Sequence, residues 1–410
     1  TSLSRGHSLR LFRTDNVQTV YHLISRCKPD LIDLIYKLAE VSQMQLIDYA
    51  VDFGCEDVDN FLTGIFKVQL KGIKDGQKIK KYVVMKWHPE PKMRSCFRES
   101  YKREFIFYRH ILPKLLEVQK TLKNVEASDE YDKETIAIVG LQEEGFRFRD
   151  RLFKTDLDHI SLVIKHLAKL HALSFVLEKT DPNGFEEITR LCRDDVQYSN
   201  PGPVRKSMKS YYEASIVANR DVWKEPDGPR PSRLEYRKED ESKIINNEIG
   251  YNGYNFCLQG SKLVEVILID YQLTRFASPV TDIAYFLCMS DDGHFLNKHY
   301  HQVLDIYYGT LTAVLRHCNL DVDEVFPRSI FQKHLKEYSV LGLIEALVSM
   351  TIITAPYEDA LKMTEMKYGH YDEEVCENGY SDNSVFVERV NSIVNHFFER
   401  NYSLDAILNK

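Results

Sequence analysis

Between Phe61 and Leu70 the chain alternates. Gly64, Phe66, Val68 and Leu70 fall on one side, with Lys67 and Gln69 on the other, which is the two-residue period of a strand. Asp75-Gly76 follows, and Ile79 to Trp87 forms a second β-rich run, so the pair predicts a hairpin closed by a tight turn. From Ser100 the period lengthens. Tyr101, Glu104, Phe105, Tyr108 and Ile111 share one helical face, and Pro113 is expected to stop that helix. Ile136 to Val139 is a short apolar run ending at Gly140, read as a strand leading out of a first lobe.

Further on, Ile160, Val163, Ile164, Leu167 and Leu170 predict a long amphipathic helix over Asp156 to Leu177. Val264 to Ile269 reads as a buried strand that delivers Asp270 at its carboxyl end. The remainder is mostly helical in period. The most apolar stretch, Val340 to Ala355, is interrupted by Gly342, Glu345, Ser349 and Thr351 and ends at Pro356; it is shorter than the ~20 residues that span a bilayer, so it predicts a buried helix and no membrane partner. Polar runs at Glu126 to Glu134 and Lys224 to Ser242 read as loops. The expected architecture is α+β and bilobal. A small β-rich N-terminal lobe covers residues 1–140, with a helical extension over 1–50, and a mainly helical C-terminal lobe covers 141–410.

Composition narrows the function classes. In 410 residues, 54 Lys+Arg stand against 61 Asp+Glu, a net charge of −7, so nothing marks a phosphate-neutralising surface for nucleic acid. Hydrophobic residues at 43% and charged ones at 28% exclude a disordered chain. The eight cysteines are scattered without a CxxC pair, which predicts reduced thiols and a cytoplasmic protein.

Three residues stand out chemically. Lys86 ends the strand VVMKW, where an ammonium can reach phosphate oxygens. Glu104 lies eighteen residues on, on what reads as the apolar side of a helix, where a carboxylate is costly to bury unless paired; Lys86 is the evident partner. Asp270 in LIDYQ sits on a rigid strand end, where a carboxylate can ligate Mg²⁺. Taken singly, a strand-end Lys is usually solvated and a strand-end Asp often caps a turn. Their order and spacing are more specific than any one of them.

With these motifs the chain resembles the insect ecdysteroid kinase-like proteins, the CHK kinase-like family, relatives of choline kinases and aminoglycoside phosphotransferases. VDNFLTGIFKV at 58–68 is similar to the family's GDNxxSxxxRV turn and strand, VVMKW and REFIFYRHILP to its Lys-strand and Glu-helix, and LAKLHALSF at 167–175 to its LAxxHAxS helix. LIDYQLTRFASPVTDIAYFL at 268–287 is similar to its LIDFQ…DLxYFL segment. The resemblance implies a protein-kinase-like bilobal fold and ATP and Mg²⁺ as cofactors. It implies that Lys86 binds the α- and β-phosphates, that Glu104 holds Lys86, and that Asn60 and Thr63 cover the phosphates. Gly140 and Leu141 fall at the lobe hinge, where backbone groups meet adenine; Asp270 ligates Mg²⁺ and Asp282 braces the metal loop. His171, in the HA motif, reads better as a satisfied core histidine than as a catalytic base.

The catalytic loop departs from the family's HGDxWxxN. Asn246, Asn247, Glu248, Gly250 and Gly253 stand where that motif has His, Gly, Asp, Trp and Asn. Glu248 keeps the catalytic carboxylate on a side chain longer by one methylene. Gly253 has nothing with which to ligate metal, leaving Asn252 or Asn255 as displaced substitutes. Val58 replaces the turn glycine of the phosphate loop, and a β-branched residue disfavours the positive φ that glycine permits. Two readings follow: a weakened ATP- and Mg²⁺-dependent kinase for a small hydrophobic, ecdysteroid-like alcohol, or a pseudokinase that binds nucleotide or a small ligand without turnover.

Overall fold

A computed structural model of the chain describes residues 32–53, 65–86, 98–121, 146–147, 156–192, 253–259, 262–269, 271, 274–355 and 384–404. The chain divides into two compact units, one of Thr1–Arg98 and Asp132–Phe146, the other of Glu99–Tyr131 and Arg147–Lys410. The described elements are mostly helical with small antiparallel sheets, an α+β composition. Residue 140, the expected lobe boundary, lies outside the described residues, as do the loop runs at 126–134 and 224–242 and the strand expected at 136–139.

The smaller unit contains helix α1 (residues 32–41) and a three-stranded antiparallel sheet of β1 (Gln45–Phe53), β2 (Ile65–Lys74) and β3 (Gln77–Lys86), in that order. The expected hairpin is present. Asp75 and Gly76 have φ of 50° and 78°, both in the left-handed region, which is the geometry that suits a two-residue turn to the strand twist. Val68 and Leu70 of β2 point into a core with Val51, Val83, Met44 and Ile35, so the alternation read from the sequence marks the buried face.

The larger unit opens with α2 (Arg98–Ile106), a π-helical turn at Phe107–Ile111 and α3 (Leu112–Thr121). Pro113 therefore does not stop the helix. It takes the second position of a new α-segment, where a missing N–H costs least, and the wide π-turn just before it includes an Leu112 N–H bond to the Phe107 carbonyl. The buried stripe also differs from expectation. Phe105 is 63% exposed, while Arg103, Phe107, Ile111, Leu115 and Val118 are buried. The stripe contains an arginine, whose guanidinium Nη1 donates to the Leu191 carbonyl at 2.6 Å, and a reading of apolar period alone takes such a residue for the wet face.

Beyond the two-residue strand β4 (Phe146–Arg147), α4 (Leu157–Thr180) is N-capped by Asp156, whose carboxylate accepts from the His159 N–H. Next come α5 (Pro182–Leu191) and the antiparallel pair β5 (Gly253–Gln259) and β6 (Lys262–Ile269). The helices α6 (Pro279–Ser290), α7 (Phe295–His317), α8 (Val322–Val325), α9 (Arg328–Thr354) and α10 (Ser384–Glu399) complete the unit. The main core joins α3, α4, α7 and β6 through Leu115, Val163, Leu167, Leu311 and Val266. The helices α4 and α9 are long and apolar enough to span a bilayer by length and composition, yet more than half of each apolar window is buried in the protein, as in core helices. The apolar stretch at 340–355 is thus the second half of a longer helix. Cys192, Cys288 and Cys318 are free thiols.

Two features of this unit give stability predictions. At the α6–α9 crossing, a β-carbon on Gly342 would meet the Ala284 backbone carbon and oxygen at 2.5 and 2.6 Å. Gly342→Ala is expected to lower stability by about 1–3 kcal/mol in urea unfolding, because backbone, not a flexible side chain, must yield. In the second core, His396 lies edge-on to Tyr300, near Arg400 and His301. Burial, with Arg400 and His301 adding to it, holds its pKa down to about 3, so the folded chain resists the proton that the unfolded chain binds below about 6.5. The sign follows: stability is complete above pH 6.5 and falls as pH drops towards 3, by about 1.4 kcal/mol per unit. Buried Asp291, whose pKa burial raises, works in the opposite direction. A comparison of wild type with His396→Gln by pH-dependent denaturation isolates the histidine, and the variant is expected to lose less stability in that window.

Candidate active site

Strand register sets where the predicted chemistry lies. In the smaller unit, Phe53 at the end of β1 pairs with Phe66, and Ile65 at the start of β2 pairs with Lys86 at the end of β3. Phe53 and Ile65 therefore stand at the end of the sheet where β3 finishes with Lys86. Asn60 and Thr63 themselves, and the side chain of Lys86, lie outside the described residues.

The larger unit repeats this arrangement. Gly253, the first residue of β5, pairs with Ile269, the last of β6. Gly253 directly follows Asn252 in sequence and Ile269 directly precedes Asp270, so these two paired positions stand at one end of the β5–β6 ladder. On β6, Val266 and Leu268 are buried in the main core, and Glu265 and Ile267 on the opposite face are buried as well. Position 253, where the family motif has its metal-binding Asn, is held beside the strand end that delivers Asp270, and the residue there is glycine. Glu248, Asn252, Asp270, Gly140 and Leu141 lie outside the described residues. Among the described residues, no three His, Cys, Asp or Glu side chains gather as a metal site.

Glu104 is half-buried in α2. Three residues later Phe107 stacks on Tyr271, ring centroids 3.6 Å apart and 9° from parallel, and Tyr108 stands edge-on to Tyr271 at 5.7 Å. Tyr271 directly follows Asp270. This aromatic group ties the helix bearing Glu104 to the strand end bearing Asp270, and residue-by-residue reading overlooked it. The signal available was the aromatic after the aspartate, Tyr in LIDYQ here and Phe in the family's LIDFQ.

His171 on α4 has both ring nitrogens engaged. Nδ1 is 2.8 Å from the Tyr307 hydroxyl, and Nε2 is 3.0 Å from Asp282 Oδ2. Burial, and then the Asp282 charge, push the Tyr307 pKa well above its ordinary value, so the phenol keeps its proton and can donate to Nδ1, leaving Nε2–H to donate to the carboxylate. A histidine committed on both sides fits a core tie between α4, α6 and α7 better than a base. Tyr307→Phe is expected to lower stability by about 1–2 kcal/mol in urea denaturation, since it strips a buried ring nitrogen of its partner.

A model of the ecdysteroid kinase-like family matches residues 57–243 and 254–320, together more than half of the chain. Comparison with curated proteins and with solved structures gave no match. The break between the two matched stretches, residues 244–253, contains Glu248, Asn252 and Gly253, the altered loop itself. On the strength of this match, the chain belongs to the ecdysteroid kinase-like family.

Proposed function

We propose that this kinase-like protein transfers a phosphoryl group from ATP, with Mg²⁺, to a hydroxyl of a small hydrophobic alcohol of ecdysteroid-like character, at a rate lowered by its altered loop. The observation that supports the reading is the family match, together with the pairing of Gly253 with Ile269, the neighbours in sequence of Asn252 and Asp270. The bound nucleotide and metal supply the transferable γ-phosphoryl group and neutralise the charge that develops on it. Lys86 contacts the α- and β-phosphates, Glu104 holds Lys86, and the Asn60 and Thr63 segment covers them. Backbone groups at Gly140 and Leu141 meet the adenine. Asp270 and Asn252 hold the metal, and Glu248 orients the acceptor hydroxyl and takes its proton.

The donor set fits this role incompletely. Glycine at 253 contributes no ligand, so Asn252 serves from a displaced position, and the longer Glu248 side chain shifts the base; an error of ~1 Å in such a group can cost ~10²-fold in rate. The coincidence of the break in the family match with this loop favours a second reading, a pseudokinase that binds nucleotide or a small ligand without turnover. Both readings place the protein in the cytoplasm, free of nucleic acid and membrane.

The two separate experimentally. ATP at about 100 times its Kd should add ~2.7 kcal/mol to folding stability, more strongly with Mg²⁺ than without. That Mg²⁺ dependence should vanish in Asp270→Ala. Labelled phosphate should pass to a steroid alcohol, and Glu248→Asp combined with Gly253→Asn, which rebuilds the family's carboxylate and amide, should raise the transfer by ~10²-fold. Stabilisation by ATP that is indifferent to Mg²⁺, with no transfer by either chain, establishes the binding module instead.

A further inference from the structure

The segment that follows Asp270 is pinned at several points. Tyr271 stacks on Phe107, and its carbonyl accepts from both the N–H and the hydroxyl of Thr274, at 3.3 and 2.9 Å. Ser278 ends the segment as the N-cap of α6. Its Oγ accepts from the Val280 N–H, and its carbonyl accepts from the Thr281 N–H and hydroxyl. Asp282, in the first turn of α6, is bonded to His171. One further tie reaches Ser278 from α9, the helix that crosses α6 at Gly342: Nδ1 of His334 lies 2.9 Å from Ser278 Oγ.

The local chemistry decides which of these two groups donates. Ser278 Oγ already receives the Val280 N–H, so its own proton is free for the ring, and Nδ1 accepts it as part of a neutral imidazole that carries its proton on Nε2. A proton added at Nδ1 removes that acceptor. It also sets a cation beside the N-terminus of α6, where the helix dipole presents its positive end. Burial holds the His334 pKa below its ordinary value; Glu337 opposes this and Lys333 reinforces it. The other charged or titratable groups around the ring are Tyr338, edge-on at 5.1 Å, and, on the walls of the cavity that His334 shares, Glu178 and His171 of α4, Arg275, and Asp282 of α6. That cavity, of about 570 Å³, gives a displaced ring room to turn.

We infer that His334 is a positioning residue: as a neutral ring it holds Ser278 and the start of α6, and on protonation it releases them, loosening residues 274–282 downstream of Asp270. The inference deepens the kinase reading and rests on it for the role of Asp270 alone; the tie between α9 and α6 stands without it. Mg²⁺-dependent nucleotide binding is then strongest with His334 neutral and weakens as pH falls below about 6.5, the ordinary histidine value.

Hydrogen exchange of the full chain tests the tie at the Val280 and Thr281 amides, read as protection relative to the free-peptide rate so that the pH dependence of exchange itself cancels. Between pH 7.5 and pH 5 this protection should fall by ~3-fold or more in the wild type. His334→Asn, whose Oδ1 takes the place of Nδ1 as acceptor but does not titrate, should keep the higher protection at both pH values. His334→Leu, which has no acceptor, should show the lower protection at both. Should His334→Leu fail to fold, the comparison of wild type with His334→Asn decides. No fall in the wild type, an equal fall in His334→Asn, or full protection in a folded His334→Leu overturns the inference. Stabilisation by ATP with Mg²⁺ should fall further over the same range in the wild type than in His334→Asn; an equal fall in both, with protection behaving as expected, overturns the link to the metal segment. Absence of ATP stabilisation even at pH 7.5 sinks the kinase reading alone, since the exchange measurement needs no nucleotide.

Discussion

The register of one short antiparallel pair carries the rest. Gly253 stands opposite Ile269, so the last residue before Asp270 and the first after Asn252 are paired, and nothing in the local sequence of either strand would pair them unaided. Val266 and Leu268 are buried in the core of the helical unit, and Ile267 and Glu265, on the other face of β6, are buried too, so the strand is covered on both sides. The Phe107–Tyr271 stack then extends this fixed point outward to α2. Apolar burial in this way sets the position of groups that are themselves polar.

Much of this was legible in the sequence, and for identifiable reasons. The β2–β3 hairpin announces itself through strict alternation and an Asp-Gly turn, because left-handed φ at both central positions selects those residues. The long helix α4 is marked by its stripe and by Asp156 at its start. The face of α2 was not legible. Its buried stripe contains Arg103, satisfied by a carbonyl 88 residues away in the chain, and no periodicity reveals a partner at that distance. The continuation through Pro113 was hidden for a related reason, since a π-turn is a choice between backbone hydrogen bonds that side-chain pattern does not encode.

The candidate site divides along the same line. Motif order suffices to nominate Lys86, Glu104 and Asp270, because each is a chemically costly residue at an element end. Sequence also suggests that His171 is structural, and its two hydrogen bonds, to residues 136 and 111 positions away, agree. What sequence cannot supply is the aromatic group of Phe107, Tyr108 and Tyr271, since its members come from segments far apart in the chain. The altered loop is informative in its own right: glycine stands at position 253, opposite Ile269, where the family's motif has Asn.

The central claim of the proposal is that a ligand introduced at position 253 would share one metal with Asp270. Electron paramagnetic resonance of Mn²⁺ in the presence of ATP tests it directly through a double-mutant cycle. Gly253→Asn should tighten Mn²⁺ binding by ~10-fold in the wild-type background and leave it unchanged in Asp270→Ala, a coupling expected only of groups that share one ion. Equal tightening in both backgrounds, or none in either, would contradict the account.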